Sequence, residues 1–390
     1  MPADAIAVTA VGAITALGTG VDALWAGLLE GRRPFGPVRG FDVEGCRVQL
    51  AAEVRGELPD ADGDRSAGLA VVAAVEALQR ASVDVTSGRV GLIVGSAGAG
   101  TKVLEAALCD PLRQPRDWWR RYQKCGLAQT VAAALGVTGP TMAINTACSS
   151  GSVAIGLGRD WLRAGDCDQV LAIGTDELGR FTFTGFHALR AMDPEPCRPF
   201  DRQRRGLTMG EGAGCLILER AVDAQRRQQG ILGYVLGVGM TCDAHHLTAP
   251  DPRGHGAARA LKEALEQADV GPESVGFVNA HGTGTPLNDA AEVASLELVL
   301  EGRAPSCPVH SIKASTGHCM GAAGALEAIV TLKSLETGIV PATAGLLDCE
   351  FDARVRCVKG RPMHVEARYA VSTNFGFGGN DAAVVFSHAR

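Results

Sequence analysis

The chain repeats itself, and this constrains its fold more than any other feature. Residues 74–84 (AVEALQRASVD) and 261–271 (LKEALEQADVG) share a helix-like apolar spacing. Each is followed by a short apolar strand that runs into a glycine turn, VGLIVGSAGAG at 90–100 and VGFVNAHGTGT at 275–285. Further on, INTACSSGSVAIGLGRDWLRAG (144–165) corresponds to SIKASTGHCMGAAGALEAIVTLKSLETG (311–338). In both, a strand enters a Thr/Ser/Gly turn and then an Ala/Gly-rich helix apolar on nearly all faces, the pattern of a buried helix. Three matches in one order predict a duplicated chain with two α/β halves, each with a mixed sheet, and helices both between and outside the sheets. The halves are expected at 1–230 and 231–390, meeting at the polar stretch AQRRQQG (224–230). Residues 101–125, which include Trp118 and Trp119, have no counterpart in the second half and read as an insertion over the site or a subunit contact.

Composition removes several function classes. With 37 basic against 43 acidic side chains, the formal charge of −6 carries no basic excess to attract nucleic acid. No run reaches the 18 or so apolar residues of a membrane span, and MPADAIAVTAVGAITALG lacks the basic start and long apolar core of a signal peptide. The 12 cysteines include no CxxC unit, so no metal site is expected. A reducing cytoplasm is the expected compartment, with most cysteines acting as small buried hydrophobes.

Ligands of open α/β sheets sit beyond the carboxyl ends of strands, and glycine turns at such ends carry the reactive side chains. In Asn145-Thr146-Ala147-Cys148-Ser149-Ser150-Gly151, a cysteine at a strand-to-helix turn is expected to be exposed, with its thiolate favoured by the helix dipole. In His281-Gly282-Thr283-Gly284-Thr285-Pro286-Leu287-Asn288-Asp289, small neighbours let the histidine approach a substrate, and the two threonines can point hydroxyls the same way. In Lys313-Ala314-Ser315-Thr316-Gly317-His318, the histidine is expected at a helix start, which favours its neutral ring. Lys313 and Glu327 are costly in an apolar core unless paired, and a mutual ion pair is the economical solution. Asn374-Phe375-Gly376-Phe377-Gly378-Gly379-Asn380-Asp381 is a further turn, whose glycines would let the Phe377 ring swing or its N–H face the sulfur. A cysteine with two histidines and backbone donors can form a thioester and stabilise an oxyanion. Two neutral histidines suit a second oxyanion, such as the enolate left when a malonyl thioester loses carbon dioxide.

TACSSG, HGTGTPLND, KASTGHCMGAAG and NFGFGG resemble the active-site segments of β-ketoacyl-carrier-protein synthases, and the resemblance spans nearly the whole chain. It implies a thiolase-like α/β fold, a five-layered α-β-α-β-α sandwich of two similar halves, and a decarboxylating Claisen condensation. By the same resemblance Cys148 matches the nucleophile, His281 and His318 the decarboxylation pair, and Lys313 and Glu327 the supporting polar pair. Phe377 matches the gate, and the N–H groups of Cys148 and Phe377 an oxyanion hole. Thr283 and Thr285 match hydroxyls that hold the phosphopantetheine arm, with Phe375 and Gly378 as further substrate contacts. No bound cofactor is implied, because that arm belongs to the substrate. The implied partner is an acyl carrier protein, and the implied assembly is a homodimer or a heterodimer with a related ketosynthase-like subunit.

The chain also departs from the family pattern. Leu207 stands where many relatives have Phe, Arg205 where many have Asp, and the last turn reads GGND rather than the frequent GGTN. Leu207 is expected to alter packing only. DELGRFTFTGFHALRAMDPEPCRPF (176–200) resembles secondary-metabolite synthases, including aryl-polyene and type II polyketide systems. An acidic carrier protein calls for a basic patch, with Arg113, Arg116, Arg120 and Arg121 as one candidate and Arg202, Arg204 and Arg205 as another, although a solvated charged face or buried ion pairs is the favoured reading of the second cluster. Three readings compete: a non-catalytic chain-length-factor-like subunit, against which Cys148 and both histidines stand; a thiolase with Cys319 as a second cysteine; and a cysteine hydrolase.

Overall fold

A computed structural model of the chain describes residues 5–98, 100–110, 119 and 122–389. Its main strands are β1 (Ile6–Thr15), β2 (Val90–Gly95), β3 (Thr141–Ile144), β4 (Gln169–Asp176) and β5 (Gly212–Arg220). They are followed by β6 (Gly233–Cys242), β7 (Val275–Asn279), β8 (Pro308–His310), β9 (Tyr369–Gly376) and β10 (Asn380–His388). The first set lies side by side as β3-β2-β4-β5-β1 and the second as β8-β7-β9-β10-β6. Within each set the second strand is parallel to both neighbours and the remaining pairs are antiparallel. Identical order and direction in the two sets is what a duplicated chain produces. Ile6–Val8 pairs antiparallel with Gly233–Val235, so among the described residues both sets belong to one twelve-stranded sheet.

The longer helices complete five layers. Helices α1 (Arg65–Arg80) and α2 (Lys124–Leu135) cover the outer face of the first sheet. Helix α4 (His255–Ala268) covers β6 and β10, with α5 (Pro286–Leu300) packed against it. Between the sheets lie α3 (Ser150–Ala164) and α6 (Ala323–Thr337), each touching strands of both sets. Every residue of α6 from Ala323 to Leu332 is buried, as its all-round apolar sequence requires.

Glycines set the spacing of these layers. A Cβ on Gly12 of β1 would lie 2.0 Å from the Ala73 carbonyl oxygen of α1, and one on Gly239 of β6 would lie 1.8 Å from the Ala260 carbonyl oxygen of α4. The outer helices therefore seat on their sheets in the same way in both halves. At the centre, a Cβ on Gly151 would lie 2.7 Å from the Ala325 nitrogen, and one on Gly324 would lie 2.5 Å from the Ser152 nitrogen. Only residues without a side chain let the first turns of α3 and α6 approach this closely, and the segments leading into them contain Cys148 and His318.

The segment 311–338 differs from its sequence pattern. A four-residue helix, Lys313–Thr316, and a 3-10 turn, Met320–Ala322, precede α6. His318 lies between them and not at a helix start. The left-handed Gly317 (φ 70°) ends the short helix, and the His318 N–H then donates to the Thr208 carbonyl at 2.7 Å, which draws the residue into a bridge with the first half.

Candidate active site

Cys148 sits in a sharp turn between β3 and α3, preceded by Ala147 in the left-handed conformation (φ 53°). Its sulfur is 3.1 Å from Nε2 of His318, and the Phe377 backbone N–H donates to it. The sequence led us to expect an exposed thiol with its thiolate favoured. Instead the residue is 3% exposed, and burial pushes the thiol up to about 12, against the pull of the Lys313 ammonium and the Phe377 N–H. The correction is tertiary: His318 and the 375–379 turn close over a sulfur that the local turn alone would leave open.

The two imidazoles meet edge to face, with centroids 5.2 Å apart. Burial holds both well below the usual imidazole range, with Lys313 acting in the same direction and each ring therefore neutral. Burial, not a helix start, is the main cause for His318. The Met320 N–H donates to Nδ1 of His318 at 3.3 Å, and the Lys313 ammonium stands 3.3 Å from Nδ1 of His281. With both Nδ1 atoms acting as acceptors, each neutral ring carries its proton on Nε2. The result is a pair of hydrogen-bond donors beside the sulfur.

Lys313 and Glu327, both fully buried, form the ion pair expected from their cost in the core. The ammonium also donates to the His281 carbonyl at 2.5 Å, and Asn374 donates to the other carboxylate oxygen at 2.5 Å. Ser152 of α3 donates to Asn374 at 2.5 Å, which ties the pair to the cysteine's helix.

A cavity of ≈ 280 Å³ opens onto this group. Cys148, His281, His318, Thr283, Thr285, Phe375, Phe377 and Gly378 all line it, whereas Lys313 and Glu327 lie behind it. The Thr283 and Thr285 hydroxyls are 2.9 Å apart, and the Phe375 ring is 5.8 Å from that of His281. The Phe377 ring stacks on Phe186 at 5.2 Å. Cys319 is turned away, its thiol directed at the Thr316 carbonyl 3.4 Å distant, so it does not serve as a second active-site cysteine.

Leu207 packs against its surroundings and also borders the cavity. The arginines at 202, 204 and 205 are not a free basic patch. Arg202 pairs with Asp348, Arg205 with Asp193 and Glu195, and the buried Arg204 with Glu350 and Asp289. Arg113, Arg116, Arg120 and Arg121, like Trp118, lie outside the described residues.

Other residues that frame the site were not singled out by the sequence. Glu292 accepts the N–H groups of His281 and Gly282, both at 2.7 Å, and burial raises its carboxyl to about 7. Asp289, one turn earlier on α5, accepts from the N–H groups of Phe200 and Gly284. Asp176 accepts from Ser96, Ala97, Gly98 and Gly321, joining both halves beneath the sulfur. Acidic residues on an otherwise apolar helix or strand end were the available signal. Among the described residues no group of three or more His, Cys, Asp or Glu side chains could hold a metal ion, and no helix is long and apolar enough to cross a membrane.

Residues 3–224 match the family described as "Beta-ketoacyl synthase, N-terminal domain", and residues 232–347 match "Beta-ketoacyl synthase, C-terminal domain". The chain belongs to the β-ketoacyl synthase family. It is 34% identical to 3-oxoacyl-[acyl-carrier-protein] synthase 2 of Synechocystis sp. over 98% of this chain and 97% of that protein. It is 33% identical to nodulation protein E of Rhizobium meliloti over 98% of both. Among solved structures, the ishigamide ketosynthase/chain length factor superposes with a TM-score of 0.92 at 33% identity, covering 99% of both chains. A ketosynthase in complex with its chain length factor from Xenorhabdus doucetiae superposes at 0.85 and 29%, covering 99% of this chain and 98% of that one. The synthase is thus an acyltransferase of the thiolase-like fold, performing Claisen-type condensation of the kind used in fatty-acid and polyketide assembly.

Proposed function

We propose that Cys148 accepts an acyl group from a carrier-protein thioester and that His281 and His318 stabilise the enolate of a malonyl-carrier protein that attacks it. The observation that carries this reading is the convergence of one sulfur and two Nε2–H donors on a single cavity. In the first step Sγ attacks the acyl carbonyl, the bond to the pantetheine sulfur breaks, and that sulfur takes the proton Cys148 loses. In the second, the malonyl C–C bond to the carboxylate breaks and its electron pair moves onto the thioester oxygen, where two neutral donors meet the charge as it forms. The enolate carbon then attacks the acyl carbonyl, and Cys148 leaves as a thiolate beside the Phe377 N–H. Neutral imidazoles suit this task because burial keeps them uncharged while leaving the Nε2–H groups directed at the cavity.

Thr283 and Thr285, with Phe375 and Gly378, would hold the pantetheine arm, and Lys313 with Glu327 would fix the His281 ring. The partner is an acyl carrier protein, and the working assembly is a homodimer or a heterodimer with a ketosynthase-like subunit, as in the solved pairs named above. A free thiol nucleophile suits the cytoplasm, and a division near residue 230 separates the Cys148 half from the histidine half. Intact-mass analysis with acyl- and malonyl-carrier proteins tests the reading. The native protein should gain an acyl adduct and Cys148→Ala should not; an adduct retained after that change would refute the assignment.

A further inference from the structure

Asp381 begins its side chain on β10 between Phe375 and Thr241 in the strand register, almost fully buried. Its carboxyl faces that of Asp243, which lies just beyond the end of β6. The two are wedged against the start of α4: a Cβ on Gly256 would lie 2.0 Å from Oδ1 of Asp243 and 2.8 Å from Oδ2 of Asp381. Oδ2 of Asp381 receives no N–H or O–H donor among the described residues. Two facing carboxylates repel, and only a proton between them satisfies both. The frequent GGTN turn would place an amide donor at this position, whereas the GGND of this chain places an acid that can donate only when protonated.

The pair lies where two segments of the site are tied together. The Asp243 N–H donates to the Gly379 carbonyl at 2.9 Å, and the Gly378 N–H donates to the Leu247 carbonyl at 2.8 Å. Asp243 also accepts the Asp251 N–H at 2.9 Å, closing the 242–251 loop on itself. The other partner in these contacts is the turn that carries Phe377, whose N–H meets the Cys148 sulfur.

We propose that Asp243 and Asp381 are a positioning pair that shares one proton and so clamps the 242–251 loop onto the turn presenting the Phe377 N–H. Burial and the Asp243 charge raise the Asp381 carboxyl to about 8, Glu292 of α5 acts in the same direction, and Arg259 of α4 opposes them. The sign follows for an acid held above its ordinary value: the shared proton is present at neutral pH and is lost as pH rises through about 8. The loop then parts from the turn.

The test compares the native protein with Asp381→Asn, which supplies a donor that does not ionise. One readout is independent of activity: amide hydrogen exchange over 242–251, corrected for the intrinsic rate, from pH 6.5 to 9.5. Protection should fall with rising pH in the native protein and hold in Asp381→Asn. The second readout is the rate of Cys148 acylation, which rests on the condensing function proposed above. The ratio of native to Asp381→Asn rate should fall roughly tenfold between pH 7 and pH 9, the loss of protonated acid expected one pH unit above its titration point. Parallel pH profiles for the two proteins, or a native loop whose protection does not change with pH, would overturn the clamp. Failure of the native protein to acylate at any pH would instead undo the condensing reading and leave the exchange result standing.

Discussion

The sulfur of Cys148 lies 3.1 Å from Nε2 of His318, 170 residues away along the chain. The contact exists because α3 and α6 touch through Gly151 and Gly324, so each half supplies one side of a single cavity. The chemistry is therefore a property of the joint between the halves.

The sulfur's imidazole contact is with His318, and the role of His281 is expected in the second half-reaction. His281→Ala should leave acylation within a few-fold of native while slowing malonyl decarboxylation by about 10²–10³. Separate single-turnover assays of adduct formation and carbon dioxide release check this. Equal losses in both would contradict the division of roles.

Lys313 and Glu327 compensate each other in the interior. Removing one charge strands the other, so Lys313→Met and Glu327→Leu should each cost ~3–5 kcal/mol. The double replacement should cost less than the sum of the two. Urea unfolding of all four proteins gives the coupling energy.

The Gly324 contact leaves no room for a methyl group. Gly324→Ala would set a Cβ 2.4 Å from the Ser152 hydroxyl and 2.5 Å from its backbone nitrogen, at a cost of ~1–3 kcal/mol, and would slow acylation by parting α3 from α6. Gly185→Ala is the control, because nothing lies within 4 Å of its Cβ and the position is helical. That change should be neutral or add up to ~1 kcal/mol. Thermal melts and acylation rates separate the two outcomes.

The two site histidines titrate well below the ordinary 6.5. Decarboxylation by pre-acylated enzyme should therefore show no acid limb at pH 6.5 and should stay level down to about pH 6. In the unfolded chain the same rings take up protons below 6.5, so their contribution to stability is complete above that value and declines as pH falls. Rate measurements and urea midpoints across pH 5.5–7.5 follow the two effects, and a rate that halves near 6.5 would show that a ring is charged in the resting site.

Local chemistry was legible in the sequence. Thr/Ser/Gly turns after apolar strands marked Cys148, His281, His318 and Phe377, and an acid and a base in one apolar region implied the Lys313–Glu327 pair. The anchoring roles of Glu292, Asp289 and Asp176 were not legible, because an acid on a helix or strand end reads the same whether it faces water or a buried turn. For the arginines at 202, 204 and 205 the sequence favoured a solvated face or ion pairs over a patch but could not name the partners, some of which lie as far away in sequence as Asp348 and Glu350.

By itself the sequence determined that the chain is built twice over, that its central helices are buried, and which turns border the cavity. These follow from periodicity and residue chemistry within short windows. Protonation was decided only in the tertiary structure. The resting thiol of Cys148 is held up at about 12 and both imidazoles are kept neutral, because the energy of a charge depends on how much water the whole fold removes around it.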